Sequence, residues 1–282
     1  MATTARHAGI IVLFVATALI SLGRASHAED LSDAFLLPEL FEVMAIEGRT
    51  AIGQDNAAPL SDREMDILRT ELDEIYHPAR MLADFVDALD KALEPHPQTR
   101  VDAIRFATTD LGQRVLRLEI SAREALLQDE VDELARLALL EARMGQQDAK
   151  GADRLGMVQD RIDVNDLIEF NVTLGMNTSF AYYRGMLSES ATVGLNAEDL
   201  LSLVQAQEPD IRRDVADWIE SYFLMAYQPL SDAELQDYID YSASPHGVAF
   251  NRAMFQAFDD VFVDLSQRVG RALGKILNSD SL

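Results

Sequence analysis

Helix-start signals recur along this chain while strand signals are almost missing, and that contrast restricts it to an all-α fold. The sequence has no period-two runs of β-branched residues and no Asn-Gly or Asp-Gly hairpin turns. Ser61-Asp62-Arg63-Glu64 and Ser231-Asp232-Ala233-Glu234 are capping boxes, in which the Ser side chain and the Glu three residues on satisfy each other's backbone donors. Leu60 with Met65, and Leu230 with Leu235, are spaced to staple these two starts, and Asn196 between Leu195 and Leu200 begins a third. Toward the C-terminus Phe255, Phe258, Phe262, Leu265, Val269, Leu273 and Ile276 recur every three or four residues. That stripe predicts a long amphipathic helix packed on a core.

The helical pattern occurs twice. Leu40 through Gly48 matches Leu167 through Gly175 at an offset of 127 residues, and the offset then becomes 135, as one insertion would produce. At the longer offset Leu60, Met65 and Leu68 meet Leu195, Leu200 and Leu203. Asp102, Ile104, Phe106, Gly112 and Arg117 likewise meet Asp237, Ile239, Tyr241, Gly247 and Arg252. The copies span residues 37–140 and 165–277, and about four helices are expected in each. The implied organisation is a signal peptide (1–28), a first helical unit (29–144), a join (145–163) in which Gly145, Gly151 and Gly156 weaken helix, and a second unit (164–282). Phe106 to Gly112 and Tyr241 to Gly247 read as tight helix–helix corners. Ser244 before Pro245 suits an N-cap there, and the glycine allows close backbone approach.

The N-terminus has the layout of a secretory signal. Arg6 and His7 precede an uncharged, mostly apolar run from Ile10 to Leu22, and Ser26-His27-Ala28 offers small residues for cleavage before Glu29. The apolar run is short for a span of about 20 residues, which favours removal over retention as an anchor. The expected location is the periplasm, with no membrane span in the mature chain. With no cysteine in the chain, neither a disulfide nor a lipid-modified N-terminal Cys is available.

Removing Arg6 and Arg24 leaves 22 basic residues against 48 acidic ones in the 254-residue mature chain. Nucleic acids and anionic lipid surfaces, which need basic patches, are poor partners for such a surface. No nucleotide-binding, hydrolase-elbow, zinc-protease or calcium-loop motif occurs. Glu74-Ile75-Tyr76-His77 has the Glu-x-x-His spacing of di-metal bundles, but a second copy is missing and Pro78 disfavours helix at His77. Neither a metal nor a cofactor is expected.

What remains as candidate partner- or ligand-binding residues is a short set: Trp218 and Tyr222, four apart on one helix face, and Tyr241, Ser244, His246 and Arg252 around the second corner. His246 is one of three histidines in the mature chain and lies beside Ser244 and near Asp240, the best place for a scattered hydrolase site. Core packing for the aromatics and simple capping for Ser244 are the plainer alternatives.

The segment from Tyr222 to about Leu265 resembles a bacterial periplasmic family known only as domain of unknown function 2059. Leu230-Ser231-Asp232-Ala233-Glu234-Leu235 and Tyr241-Ser242-Ala243-Ser244-Pro245-His246-Gly247 carry the likeness. In the first copy Thr109-Asp110-Leu111 replaces Ser-Pro-His. The resemblance implies an exported all-helical protein and brings no activity or catalytic residues with it. The function expected is a non-enzymatic binding or assembly module of the bacterial envelope, with a protein or peptide partner. A hydrolase centred on His246 and a carrier of a small apolar ligand are the alternatives.

Overall fold

The computed structural model describes residues 31–54, 60–145, 149–189 and 196–279, and among them every regular element is a helix. The expected signal segment and Leu195 of the third staple lie outside the described residues. Among the described residues no helix is long and apolar enough to cross a membrane.

Helices α1 (Leu31–Ala34) and α2 (Leu37–Gln54) are joined by a turn with Leu36 at φ 60°. The first capping box opens α3 (Asp62–Ile75), the Ser61 backbone N–H donating to the Glu64 carboxylate at 2.6 Å. That helix stops where Pro78 holds His77 extended, at φ −82° and ψ 113°, and the proline then leads α4 (Pro78–Leu93). Pro97 starts α5 (Pro97–Ala107) in the same way, and Thr109 caps α6 (Asp110–Ala125). After α7 (Asp129–Arg143), Gly145 turns the chain at φ 65°. There follow α8 (Ala149–Asp163), α9 (Leu167–Ser188), α10 (Ala197–Ala226), α11 (Asp232–Ala243) and α12 (Pro245–Ser279). Asn196 and Ser231 cap α10 and α11 with reciprocal boxes.

Two expectations change. Residues 145–163 are no weak join, because α8 carries Gly151 and Gly156 within it and buries Leu155, Val158 and Ile162. A helical glycine costs about 1 kcal/mol, less than the roughly 1.5–3 kcal/mol gained by each buried aliphatic side chain. The expected four helices per copy hold only for α9 to α12. On the earlier side the segments 135 residues before the two long helices are broken, at Tyr76-His77 and at Leu126–Gln128. Proline explains the first break. At the second, Leu126 and Leu127 turn into different apolar clusters while Asp129, Glu130 and Asp132 favour a fresh N-terminus. Even so, the first residues of α3, α5 and α6 recur 135 residues later as the first residues of α10, α11 and α12.

The apolar stripe predicted near the C-terminus is buried along its whole length in α12. It packs on two sides, against α9, where Phe255 stacks on Phe170, and against the early helices. Phe258 lies 4.3 Å from Phe85 of α4, ring centre to ring centre, and the surrounding cluster joins α1 to α5 with α12. A second cluster joins α8 to α11 with Val115 and Ala122 of α6. Helix α12 therefore contributes to the cluster of the early helices as well as packing on α9, and α6 serves both clusters, Leu116 and Ile120 in the first and Val115 and Ala122 in the second. Helix α12 also lies against α9 so closely that a Cβ on Gly270 would sit 2.0 Å from the Tyr182 carbonyl oxygen, and one on Gly185 would sit 2.2 Å from that of Gln267.

Candidate functional site

The two corners anticipated from sequence meet face to face. At each, a hydroxyl caps the second helix: the Gly112 N–H donates to Thr109 Oγ1 at 2.9 Å, and the Gly247 N–H to Ser244 Oγ at 3.0 Å. Only glycine fits third in either helix, since a Cβ would lie 2.1 Å from the Phe106 carbonyl oxygen at one corner and 2.2 Å from that of Tyr241 at the other. Phe106 and Tyr241 then stack ring on ring across the seam, centroids 3.6 Å apart and 5° from parallel.

Against this stack is a cavity of about 80 Å³, room for two or three waters at roughly 30 Å³ each. Its walls come from α5, α6 and α8 to α12, with Phe35 from the turn before α2, so both halves of the chain contribute to it. Phe106, Tyr241, Phe250 and Phe255 give it aromatic faces, and Arg161, Asn165 and Glu119 give it polar ones. Arg161 is 7% exposed and Asn165 4%. An arginine buried this deeply has to be paired or hydrogen-bonded to offset its lost hydration. One of its nitrogens, Nη2, donates to Tyr238 Oη at 2.9 Å, and the guanidinium lies 4.6 Å from the centre of that ring. The Tyr238 and Tyr227 hydroxyls donate to Glu119 Oε1 at 3.2 and 2.5 Å, and Tyr222 donates to the Glu119 carbonyl at 2.9 Å. Burial opposes the charge on Arg161, but Tyr238, Tyr227 and Glu119 outweigh it and hold the guanidinium protonated. Burial likewise pushes the Tyr238 hydroxyl up to about 12.

Several polar atoms in the lining have no hydrogen-bond partner among the described residues: Arg161 Nε and Nη1, Asn165 Oδ1 and Tyr241 Oη. The Asn165 amide orientation follows from its Nδ2, which donates to the Ser242 carbonyl at 3.2 Å. One helical turn along α6 from Glu119 lies a second, partly buried pair. Arg123, 1% exposed, grips Glu47 through Nε and Nη2 at 2.6 and 2.5 Å.

Of the residues singled out in the sequence, Tyr241 lines the cavity, and Ser244 caps α12 at its edge. Trp218 and Tyr222 stack at 4.8 Å, with Arg123 over the indole at 5.7 Å, and belong to the network around Glu119. His246 bridges α12 to α5, its Nδ1 3.2 Å from Thr99 Oγ1 and its Nε2 3.0 Å from Asp102 Oδ2. An acid and a hydroxyl thus flank this histidine, but Thr99 is 4% exposed, so its oxygen is closed to a substrate. Arg252 is exposed on α12 and takes no part in the cavity. Arg114 makes the corresponding bridge on the other side, from α6 to Glu234 and to the Pro229 carbonyl.

Sequence reasoning missed Arg161, Asn165, Glu119 and Tyr238. A signal for two of them exists, since Arg161 and Asn165 continue the helical spacing of Leu155, Val158 and Ile162, where only apolar residues are expected. No protein-family model, curated protein or solved structure matches this chain.

Proposed function

We propose that this chain is an exported, non-enzymatic binding module of the bacterial envelope, in which two diverged copies of one helical unit enclose a small polar site. The observation that carries the reading is the cavity at the seam, walled by both halves and lined by buried polar groups left without protein partners. Buried polar groups are satisfied in the great majority of cases, so several in one lining mark a place for a ligand. Duplication is supported by the constant 135-residue spacing of helix starts, by the paired caps and by the stacked aromatics at matching positions. The basic, apolar and small-residue run before Glu29, and the likeness of Tyr222–Leu265 to domain of unknown function 2059, support the compartment. N-terminal sequencing of the protein from a periplasmic fraction tests this: it should begin at Glu29, and a retained Met1 would contradict export with cleavage.

The polar lining and small volume favour a small polar ligand over an apolar cargo. Ligand-observed NMR on a periplasmic extract should show one or a few small molecules whose signals broaden with the wild-type protein. They should stay sharp with Leu116→Phe, which fills the cavity from its wall. Equal broadening with both proteins, or none with either, would sink the reading.

A peptide partner is a second reading, favoured by the outer face of α7. Leu134, Leu137, Leu140 and Met144 there are 50–65% exposed at helical spacing, and the exposed Glu130, Glu133 and Glu141 flank them. A basic amphipathic helix complements that face in both shape and charge. Fluorescence anisotropy with such a peptide should show binding that Leu137→Lys abolishes, whereas binding indifferent to this change would remove the reading.

A further inference from the structure

The chemistry of the seam cavity narrows the class of ligand, an argument that rests on the binding reading above. Three constraints act together. The first is hydrogen-bond complementarity. Arg161 Nε and Nη1 offer only donors, Asn165 Oδ1 offers only an acceptor, and the Tyr241 hydroxyl offers either. A partner therefore has to present acceptors at one end and a donor at the other.

The second constraint is charge. Arg161 shares the cavity with Glu119, whose carboxylate accepts from the Tyr227 and Tyr238 hydroxyls, and Arg123 is held by Glu47. These buried charges cancel. A bare anion would leave one negative charge uncompensated beside Glu119, and a bare cation would leave one positive charge beside Arg161. Either costs more than a net-neutral guest, because the surroundings are poor in water. The third constraint is size and surface. About 80 Å³ excludes anything much larger than a few linked heavy atoms, and the aromatic residues of the lining keep bulk water away from the guest.

We infer that the cavity binds a small zwitterion of the α-amino-acid class, its carboxylate toward Arg161 Nε and Nη1 and its ammonium group toward Asn165 Oδ1 and the Tyr241 hydroxyl. Glycine is the probe of this class that fits the volume. So few heavy atoms limit the affinity, and a Kd on the order of 10 μM to 1 mM is expected.

The test uses the mature chain from Glu29 to Leu282 with glycine, acetate and methylammonium as separate probes, read by saturation-transfer NMR and isothermal titration. Glycine should bind at least about tenfold more tightly than either half-molecule. Arg161→Gln is the obvious variant but removes a buried charge from a network and is prone to misfolding. Tyr241→Phe is the second variant: it keeps the ring stack and deletes only a hydroxyl that has no protein partner. It should leave the melting temperature unchanged or higher and weaken glycine about three- to tenfold, the worth of one hydrogen bond. Acetate or methylammonium binding as well as glycine would overturn the zwitterion assignment and leave the cavity as a binding site. Glycine affinity unmoved in Tyr241→Phe would overturn the placement. Silence from all three probes at tens of millimolar, with no extract component broadened either, would overturn this inference and the binding reading together.

Discussion

Single atoms decide how closely consecutive helices meet at a corner. The missing Cβ of Gly247 is one, since a methyl group there would sit 2.2 Å from the Tyr241 carbonyl oxygen. Gly247→Ala has to push α11 and α12 apart and should cost about 1–3 kcal/mol, as overpacked sites do. Chemical denaturation would show it as a lower midpoint, and an unchanged midpoint would contradict the close approach. The buried tyrosines give a second check. Burial raises Tyr222 and Tyr227 well above the ordinary phenol value and Tyr238 to about 12. A raised folded-state value means the stability is fully present below the unfolded value near 10 and is lost as pH rises through the folded one. Absorbance at the phenolate band should therefore lag behind that of free tyrosine and rise together with loss of helical signal between about pH 10 and 12. Why Tyr227 and Tyr238 escaped sequence reading, while Tyr222 was singled out, is physical. Tyr227 and Tyr238 look like ordinary apolar-face residues because what distinguishes them is a hydroxyl reaching Glu119 across a long separation in sequence. No local pattern records such a contact.

Helix ends were legible because their chemistry is local. Ser61, Asn196 and Ser231 each cap a helix within three residues of their partners, and Pro78 and Pro97 lead α4 and α5. Which helix packs on which was not legible, because amphipathic stripes of equal width are interchangeable until topology pairs them. Glycine frequency misled in α8 for the same reason, since burial of Leu155, Val158 and Ile162 outweighs local propensity. Ion pairs between elements also leave no local trace, yet they set the acid response. The Ser231 backbone N–H, the Ser231 hydroxyl and Arg114 hold the Glu234 carboxyl below the usual range, and Arg212 does the same for Glu169. A depressed folded-state value means stability that is present above the unfolded value and lost as pH falls through the folded one. The melting temperature should thus drop between about pH 5 and 3, and Glu234→Gln should flatten that drop. A variant with the wild-type slope would show that the cap and the Arg114 bridge contribute nothing to folding.

At the scale of the molecule, α6 and α12 each reach both apolar clusters and make the halves mutually dependent. Helix α12 fills the cluster of α1 to α5, while Val115 and Ala122 of α6 complete the cluster of α8 to α11. Fragments 29–145 and 149–282 made separately should each lack a cooperative thermal transition by circular dichroism. Mixed, they should recover one. A fragment that melts cooperatively alone would show that these shared helices are dispensable.

The position of α12 after the helices it covers also orders events in time. A polypeptide leaves the ribosome N-terminus first, so the helix that closes the core around Phe41 and Phe85 is made after α1 to α11. Until then the early helices can form but lack the surface that α12 brings to their cluster. Any factor that meets the chain before that point meets a first half with its apolar faces still uncovered, and the native core is committed only when α12 docks.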